Sequence, residues 1–159
     1  MRALILHSGN LYGGVETALV SLVRASRDPA KDLDLAVALC FDDGRVAGEL
    51  RETGVTVHTL GAARLSRPWQ TWQARSRLRR LLDAQRFDLC ITLSTWTHAI
   101  FAPVVRGRDL PLVAWAHDRW TGTRWLDRLA MRVPPDLVVA NSRYTADAMP
   151  TVLPGVPLR

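Results

Sequence analysis

No stretch constrains this chain more than Ala3 to Thr17. Ala3-Leu4-Ile5-Leu6 is a short, wholly apolar run without alternation, the pattern of a strand covered on both faces. Ser8-Gly9-Asn10-Leu11-Tyr12-Gly13-Gly14 follows, a turn rich in residues that tolerate unusual backbone angles. Val15, Ala18, Leu19, Leu22 and Val23 then fall on one helical face. Strand, glycine turn and helix open an α/β domain. They aim unpaired backbone N–H groups and the positive end of a helix dipole at the carboxyl edge of a sheet, which suits an anion.

The remaining chain repeats that alternation. Asp28-Pro29 breaks the first helix, and Leu33 to Phe41 reads as a second strand ending in the turn Asp42-Asp43-Gly44. Val46 to Glu52 is a short helix closed by Gly54, and Val55 to Leu60 a third strand. Pro68 opens a long helix to about Gln85, followed by a strand at Leu89 to Leu93 and a helix from Thr95 to Val105. Leu112 to Ala116 is a fifth strand, Arg124 to Met131 a short helix and Leu137 to Ala140 a sixth strand. Ser142 to Met149 reads as one more short helix, Thr151 to Leu153 as a last small strand, and Leu153 to Pro157 as a linker. Strands alternating with helices predict an α/β fold, a doubly wound Rossmann-like parallel sheet flanked by helices, with ligands at the carboxyl ends of the strands. At 159 residues the chain is long enough for one domain, residues 1–150, with 151–159 starting an interdomain linker.

Charge and apolar content exclude other classes. No apolar run approaches the roughly 20 residues of a membrane span, and the N-terminus reads as a strand rather than a signal peptide, so a cytoplasmic location is expected. Cys40 and Cys90 sit inside apolar strands, as reduced buried thiols do, without the spacing of a metal site. The net charge of +6 is almost all arginine, with Lys31 the only lysine. It favours anionic partners, unless it merely reflects genome composition.

The strand ends carry Gly9 to Gly14, Asp42-Asp43, Ser94-Thr95-Trp96, His117-Asp118-Arg119-Trp120 and Asn141-Ser142-Arg143, which this architecture would gather around one crevice. The glycines match neither the G-x-G-x-x-G dinucleotide pattern nor a Walker loop. A plain turn without ligand is the alternative there. His117 is placed to donate to a ligand hydroxyl or phosphate or to move a proton, or else to fix loop backbone. His7 and His98 read as structural, His58 as surface-facing, Asp42-Asp43 as a cap of the next helix, and Asn141-Ser142 as a helix cap with Ser142 Oγ near the crevice. No serine–histidine–acid set follows from the spacing.

Three stretches together carry a resemblance. Gly13-Gly14-Val15-Glu16, His117-Asp118 and Pro135-Asp136-Leu137-Val138-Val139-Ala140-Asn141-Ser142 resemble, in that order, the N-terminal half of family 4 glycosyltransferases of GT-B architecture. Thr151 to Val156 is similar to the stretch joining the two halves, with Pro154 where asparagine usually precedes the glycine. The resemblance implies transfer of a sugar from a nucleotide-sugar donor, with retention and without a bound metal or other cofactor, the nucleotide-sugar being a substrate. It implies an acceptor-side domain whose Gly13 and Gly14 lie against the donor phosphates and the acceptor, with Glu16 at the helix start, His117 on the transferred sugar, and Asp118 and Ser142 nearby. It also implies that nucleotide binding belongs to a C-terminal domain, in cis or in trans, without which this half is inactive.

The long helix adds a surface. Ala74, Leu78, Leu81 and Leu82 form its core stripe, while Arg75, Arg79 and Arg86 gather on another side with Trp72, and Trp69 nearby. Tryptophan between arginines suits a helix lying on an anionic membrane, so Trp69, Trp72, Arg75 and Arg79 are membrane-facing candidates at the inner face. The alternative packs both tryptophans under the preceding loop. Nucleic acid is not expected, because no binding motif accompanies the charge. A lipid-linked or sugar acceptor is the expected partner; a stand-alone phospho-ligand module and a non-catalytic docking domain are the rival classes.

Overall fold

A strand covered on both faces has no polar side to offer solvent, and β1 (Arg2–His7) is such a strand: every residue after Arg2 is buried. In this computed structural model, which describes residues 1–28, 30 and 32–159, β1 pairs in parallel with β2 (Asp34–Leu39), Leu4 opposite Ala36. The Pro29 of the expected Asp28-Pro29 break lies outside the described residues. β2 pairs in turn with β3 (Thr56–Thr59), giving the order β3-β2-β1. β3 has no fully buried residue and is short, as an outer strand should be.

Two units divide the chain, Met1–Asp88 and Leu89–Arg159. In the first, α1 (Gly14–Ser26) buries Leu19, Val20 and Val23, and α2 (Arg45–Glu52) buries Val46, Ala47 and Leu50. α3 (Pro68–Ala84) buries Ala74 and Leu78, with Leu81 and Leu82 only half-buried. Each fully buried Leu or Val side chain is worth about 1.5–3 kcal/mol against exposure. Asp42 and Asp43 do not cap α2. Gly44 is the N-cap residue, and the Asp42 carboxylate instead accepts from Thr59 Oγ1 at 2.6 Å and Arg51 Nη2 at 3.4 Å. His58 is half-buried rather than at the surface, and burial lowers its pKa.

The second unit carries β4 (Leu89–Thr92), β5 (Leu112–Ala116) and β6 (Leu137–Ala140), parallel and in that order. α4 (Thr95–Arg106) follows β4 and starts with a capping box: Ser94 Oγ accepts from Thr97 N, and Thr97 Oγ1 accepts from Ser94 N. α5 (Trp125–Met131) precedes β6. A core of Trp120, Ala130, Val138, Met149, Val152 and Leu153 fills the space beneath them.

Beyond β6 the chain departs from expectation twice. Ser142 to Met149 is not one helix but the single turn α6 (Arg143–Ala146), and Thr151-Val152-Leu153 is not a strand, because α7 (Met149–Val152) occupies it. Pro150 fits a first helical turn, where its missing N–H costs nothing, and Met149 and Val152 are buried on the core side. Strand pairing falls instead to the expected linker and its end. Val138 N donates to Pro157 O, Arg159 N to Val138 O and Ala140 N to Arg159 O, each at 2.9 Å, so Leu158 sits parallel beside β6.

Candidate functional site

The loop between β1 and α1 is held by its own backbone. Gly9 has φ +83°, and a Cβ there would run into the carbonyl oxygen of Phe41, so no other residue fits. Phe41 N donates to Ser8 O at 2.8 Å and ties the loop to the end of β2. Gly13 is the N-cap residue of α1, with extended backbone and no side-chain cap, so α1's first N–H groups stay open to a ligand. Gly14 is a different case. It is exposed, its φ is not positive, and a Cβ there would meet nothing within 4 Å. The fold does not require that glycine.

Glu16 turns inward from the same turn. Its Oε1 lies 3.0 Å from Nε2 of His7, and both side chains are buried. The last residue of β1 thus meets the first turn of α1, two residues beyond the glycine pair. His7 reads as structural from sequence and takes that part here, but its partner was not legible, since nothing in the spacing links residues on different elements.

In the second unit, His117 follows β5, half-buried, with its ring against Trp115 (centroids 4.8 Å apart). Asp118 is exposed and accepts from Thr95 Oγ1 at 2.9 Å, so α4's first residue anchors the His117 loop. Arg124 Nη2 lies 3.8 Å from the Asp118 carboxylate and donates to Arg119 O at 2.8 Å. Arg124 is itself held by Asp127, which is wholly buried: Asp127 Oδ2 accepts from Thr121 N, Thr121 Oγ1, Gly122 N and Arg124 Nε. Burial works against ionisation of Asp127, yet the Thr121 N–H and hydroxyl and the Arg124 charge outweigh it and hold its pKa below the usual aspartate value. Thr95 is among the expected strand-end residues, but its bond to Asp118 was not legible, and the pairing of Asp127 with Arg124 and the Thr121 loop leaves no periodic signal in the sequence.

Ser142 caps α6, accepting from Thr145 N at 3.2 Å, while Thr145 Oγ1 donates to Asn141 Oδ1. The cap expected at Asn141-Ser142 is present; Ser142 is exposed and committed to its own helix. Beside it the Arg119 guanidinium sits 5.1 Å from the Tyr144 ring, so the loops after β5 and β6 meet. His98 is fully buried, with Nδ1 2.9 Å from Thr92 Oγ1 and Nε2 2.8 Å from Val133 O, a structural histidine. Cys40 and Cys90 are free and buried, and burial pushes both thiols up to about 12.

On α3, Trp69 and Trp72 are 59% and 65% exposed, which overturns the alternative that packs them under the preceding loop. Arg79 is exposed on the same side and Arg75 half-buried at its edge. Among the described residues no helix is long and apolar enough to cross a membrane, and no three His, Cys, Asp or Glu side chains gather as a metal site.

Parallel strands flanked by helices, with polar loops at their carboxyl ends, define a Rossmann-like α/β fold, and several solved structures share that fold. HepE of Anabaena, in complex with UDP and glucose, superposes with TM-score 0.76 at 20% identity over 100% of this chain and 43% of its own. The lipopolysaccharide outer core galactosyltransferase WaaB gives 0.76 at 12% over 99% and 44%. MurG of Acinetobacter baumannii gives 0.68 at 10% over 91% and 42%. The chain spans less than half the length of these structures. It belongs to Glycosyltransferase Family 4, whose model matches residues 12–157. No curated protein matches it.

Proposed function

We propose that this chain is the acceptor-binding half of a retaining glycosyltransferase that moves a sugar from a nucleotide-sugar to a sugar or lipid-linked acceptor. Nucleotide binding falls to a second domain, in cis or as a separate chain, and this half alone has no robust activity. Residues 151–159 are the approach to that domain. No metal or other cofactor takes part, as the family resemblance implies, and the work is done in the cytoplasm.

Gly14 carries this reading. Its Cβ position is open, its backbone needs no glycine, and it stands in a helix's first turn, where alanine would be better tolerated. A glycine that the fold does not require is explained by a ligand's close approach to the backbone. Phosphate oxygens suit the open N–H groups and the dipole at that point. In this scheme Gly13 and Gly14 take the donor phosphates and the acceptor, with Glu16 bracing them through His7. His117 hydrogen-bonds the transferred sugar, and Asp118 and Ser142 lie along the acceptor's path. The test joins the chain to a family C-terminal domain and screens nucleotide-sugars against sugar and lipid-linked acceptors. Retained-configuration product from any pair supports the proposal, and no turnover from all of them counts against it.

The exposure of Trp69 and Trp72 favours a second property of the same protein, docking of α3 on an anionic membrane at the inner face. Two amphipathic rings beside Arg79 would enter the headgroup layer while the guanidinium pairs with lipid phosphate. Flotation with anionic but not with neutral vesicles is the expected result.

A further inference from the structure

Between α1 and α2 lies a cleft of about 350 Å³ that runs from Tyr12, next to the glycine pair, to Arg24 and Glu52, with neither glycine in its lining. Its walls include Tyr12, Ser21, Arg24, Arg45, Glu49 and Glu52. Three of these side chains are already fixed against one another. The Tyr12 hydroxyl donates to Glu49 Oε2 at 2.6 Å, Arg45 Nε donates to Oε1 at 2.6 Å, and the Arg45 guanidinium sits 4.0 Å from the Tyr12 ring centroid. The Tyr12 hydrogen bond, then Arg45, hold Glu49 below the usual carboxylate range, and the same bond raises Tyr12. An open surface seldom holds three long side chains in one geometry. Here the ordering cost is met before any ligand arrives.

Arg24 adds its charge to the pull on Glu49 without a hydrogen bond. Among the described residues, the side chains of Arg24 and Glu52 enter no hydrogen bond, and both face the cleft. Arg24, Arg45, Glu49 and Glu52 sum to zero charge, so neither a phosphate nor an ammonium ion gains net attraction. A neutral ligand rich in hydroxyls does gain. A guanidinium offers paired donors and a carboxylate paired acceptors, the geometry that two neighbouring hydroxyls match. The volume lies within the range of small-molecule sites.

We infer that this cleft is a saccharide subsite, taking a neutral pyranose unit. Glu52 accepts from one pair of vicinal hydroxyls, Arg24 donates to another pair, and the preset Tyr12–Glu49–Arg45 wall bounds the ring. The choice of a sugar rests on the transfer reading above; the geometry of the cleft does not. In that reading the occupant is a non-reacting unit of the acceptor.

The experiment titrates the 159-residue chain with methyl β-glucoside, methyl β-galactoside and N-acetylglucosamine, following Tyr12 ring and backbone resonances by NMR, with inorganic phosphate and glycine as parallel arms. Saturable, millimolar binding of at least one saccharide is expected, with shifts at Tyr12, Arg24, Glu49 and Glu52. Glu52→Gln and Arg24→Ala, both at exposed positions, should each weaken it about tenfold. No saturable saccharide binding, tighter binding of phosphate or glycine, or affinity unchanged in both variants overturns the inference. Turnover by the joined enzyme without saccharide binding here would remove the subsite and leave the transfer reading standing. Binding here without turnover would do the reverse.

Discussion

Single atoms decide what the candidate site can do. At Gly14 a methyl group has room, so Gly14→Ala should leave the fold intact and raise stability by about 0.4–1 kcal/mol through the unfolded state. The same methyl would hold a phosphate off the helix N-terminus. In the joined enzyme kcat/KM should fall at least about tenfold while the melting temperature holds or rises. Unchanged kcat/KM would show that nothing approaches that backbone. His98 offers a second residue-scale test. Burial, the largest influence, pushes its pKa from 6.5 down to about 4, against a smaller opposing pull from the Val133 carbonyl. Because the unfolded chain binds the proton first, stability is full above about pH 6.5 and is lost as pH falls towards 4, by about 3 kcal/mol in all. Urea unfolding at pH 7 and pH 4.5 should show this slope in the native chain and a flatter one in His98→Gln.

Among the elements, the connection from β5 to α5 depends most on one side chain. Asp127 is buried at the start of α5 and collects four donors from the loop that follows His117. Asp127→Ala would strand Thr121 N and Gly122 N and release Arg124 from its hold near Asp118. A loss of about 2–4 kcal/mol is expected, with faster amide exchange confined to residues 118–124. Exchange spread evenly over the second unit would mean that Asp127 supports the core and not the loop. α3 shows the opposite arrangement. Its buried stripe, Thr71, Ala74 and Leu78, is thin, and its two tryptophans, Trp69 and Trp72, face outward. That inversion costs solubility without adding to the core, which is why a surface for the tryptophans to enter explains it better than packing does.

For the whole molecule the dominant quantity is charge. With a net +6, almost all of it arginine, attraction to anionic vesicles should weaken between 0.05 and 0.5 M salt, roughly as the Debye length contracts from about 14 Å to about 4 Å. The apolar contribution of Trp69 and Trp72 should persist in salt. Sedimentation at 0.5 M salt should therefore show residual binding in the native chain and none in Trp69→Ser/Trp72→Ser, while both bind at 0.05 M. Binding insensitive to salt would assign the interaction to the tryptophans alone.

Where local chemistry settles conformation, the sequence was enough. The unbroken apolar run before Ser8, proline at the start of α3 and the Asn141-Ser142 cap are signals carried within a few residues, as a burial pattern, a preset φ and a short-range hydrogen bond, so strand and helix starts could be placed without neighbours. The glycine pair was legible for the same reason. What folding alone decided were contacts between residues far apart in the chain. His7 meets Glu16 across a loop, Thr95 meets Asp118 from another strand end, and Asp42 leaves its helix for Thr59. Thr151 to Leu153 shows the limit most clearly: a triplet that reads as a strand instead closes a helical turn at Val152, because Met149 and Val152 had a core to fill, while the edge of β6 was taken by Pro157 to Arg159. Burial and hydrogen-bond satisfaction at long range outweigh a local preference of a few tenths of a kcal/mol per residue.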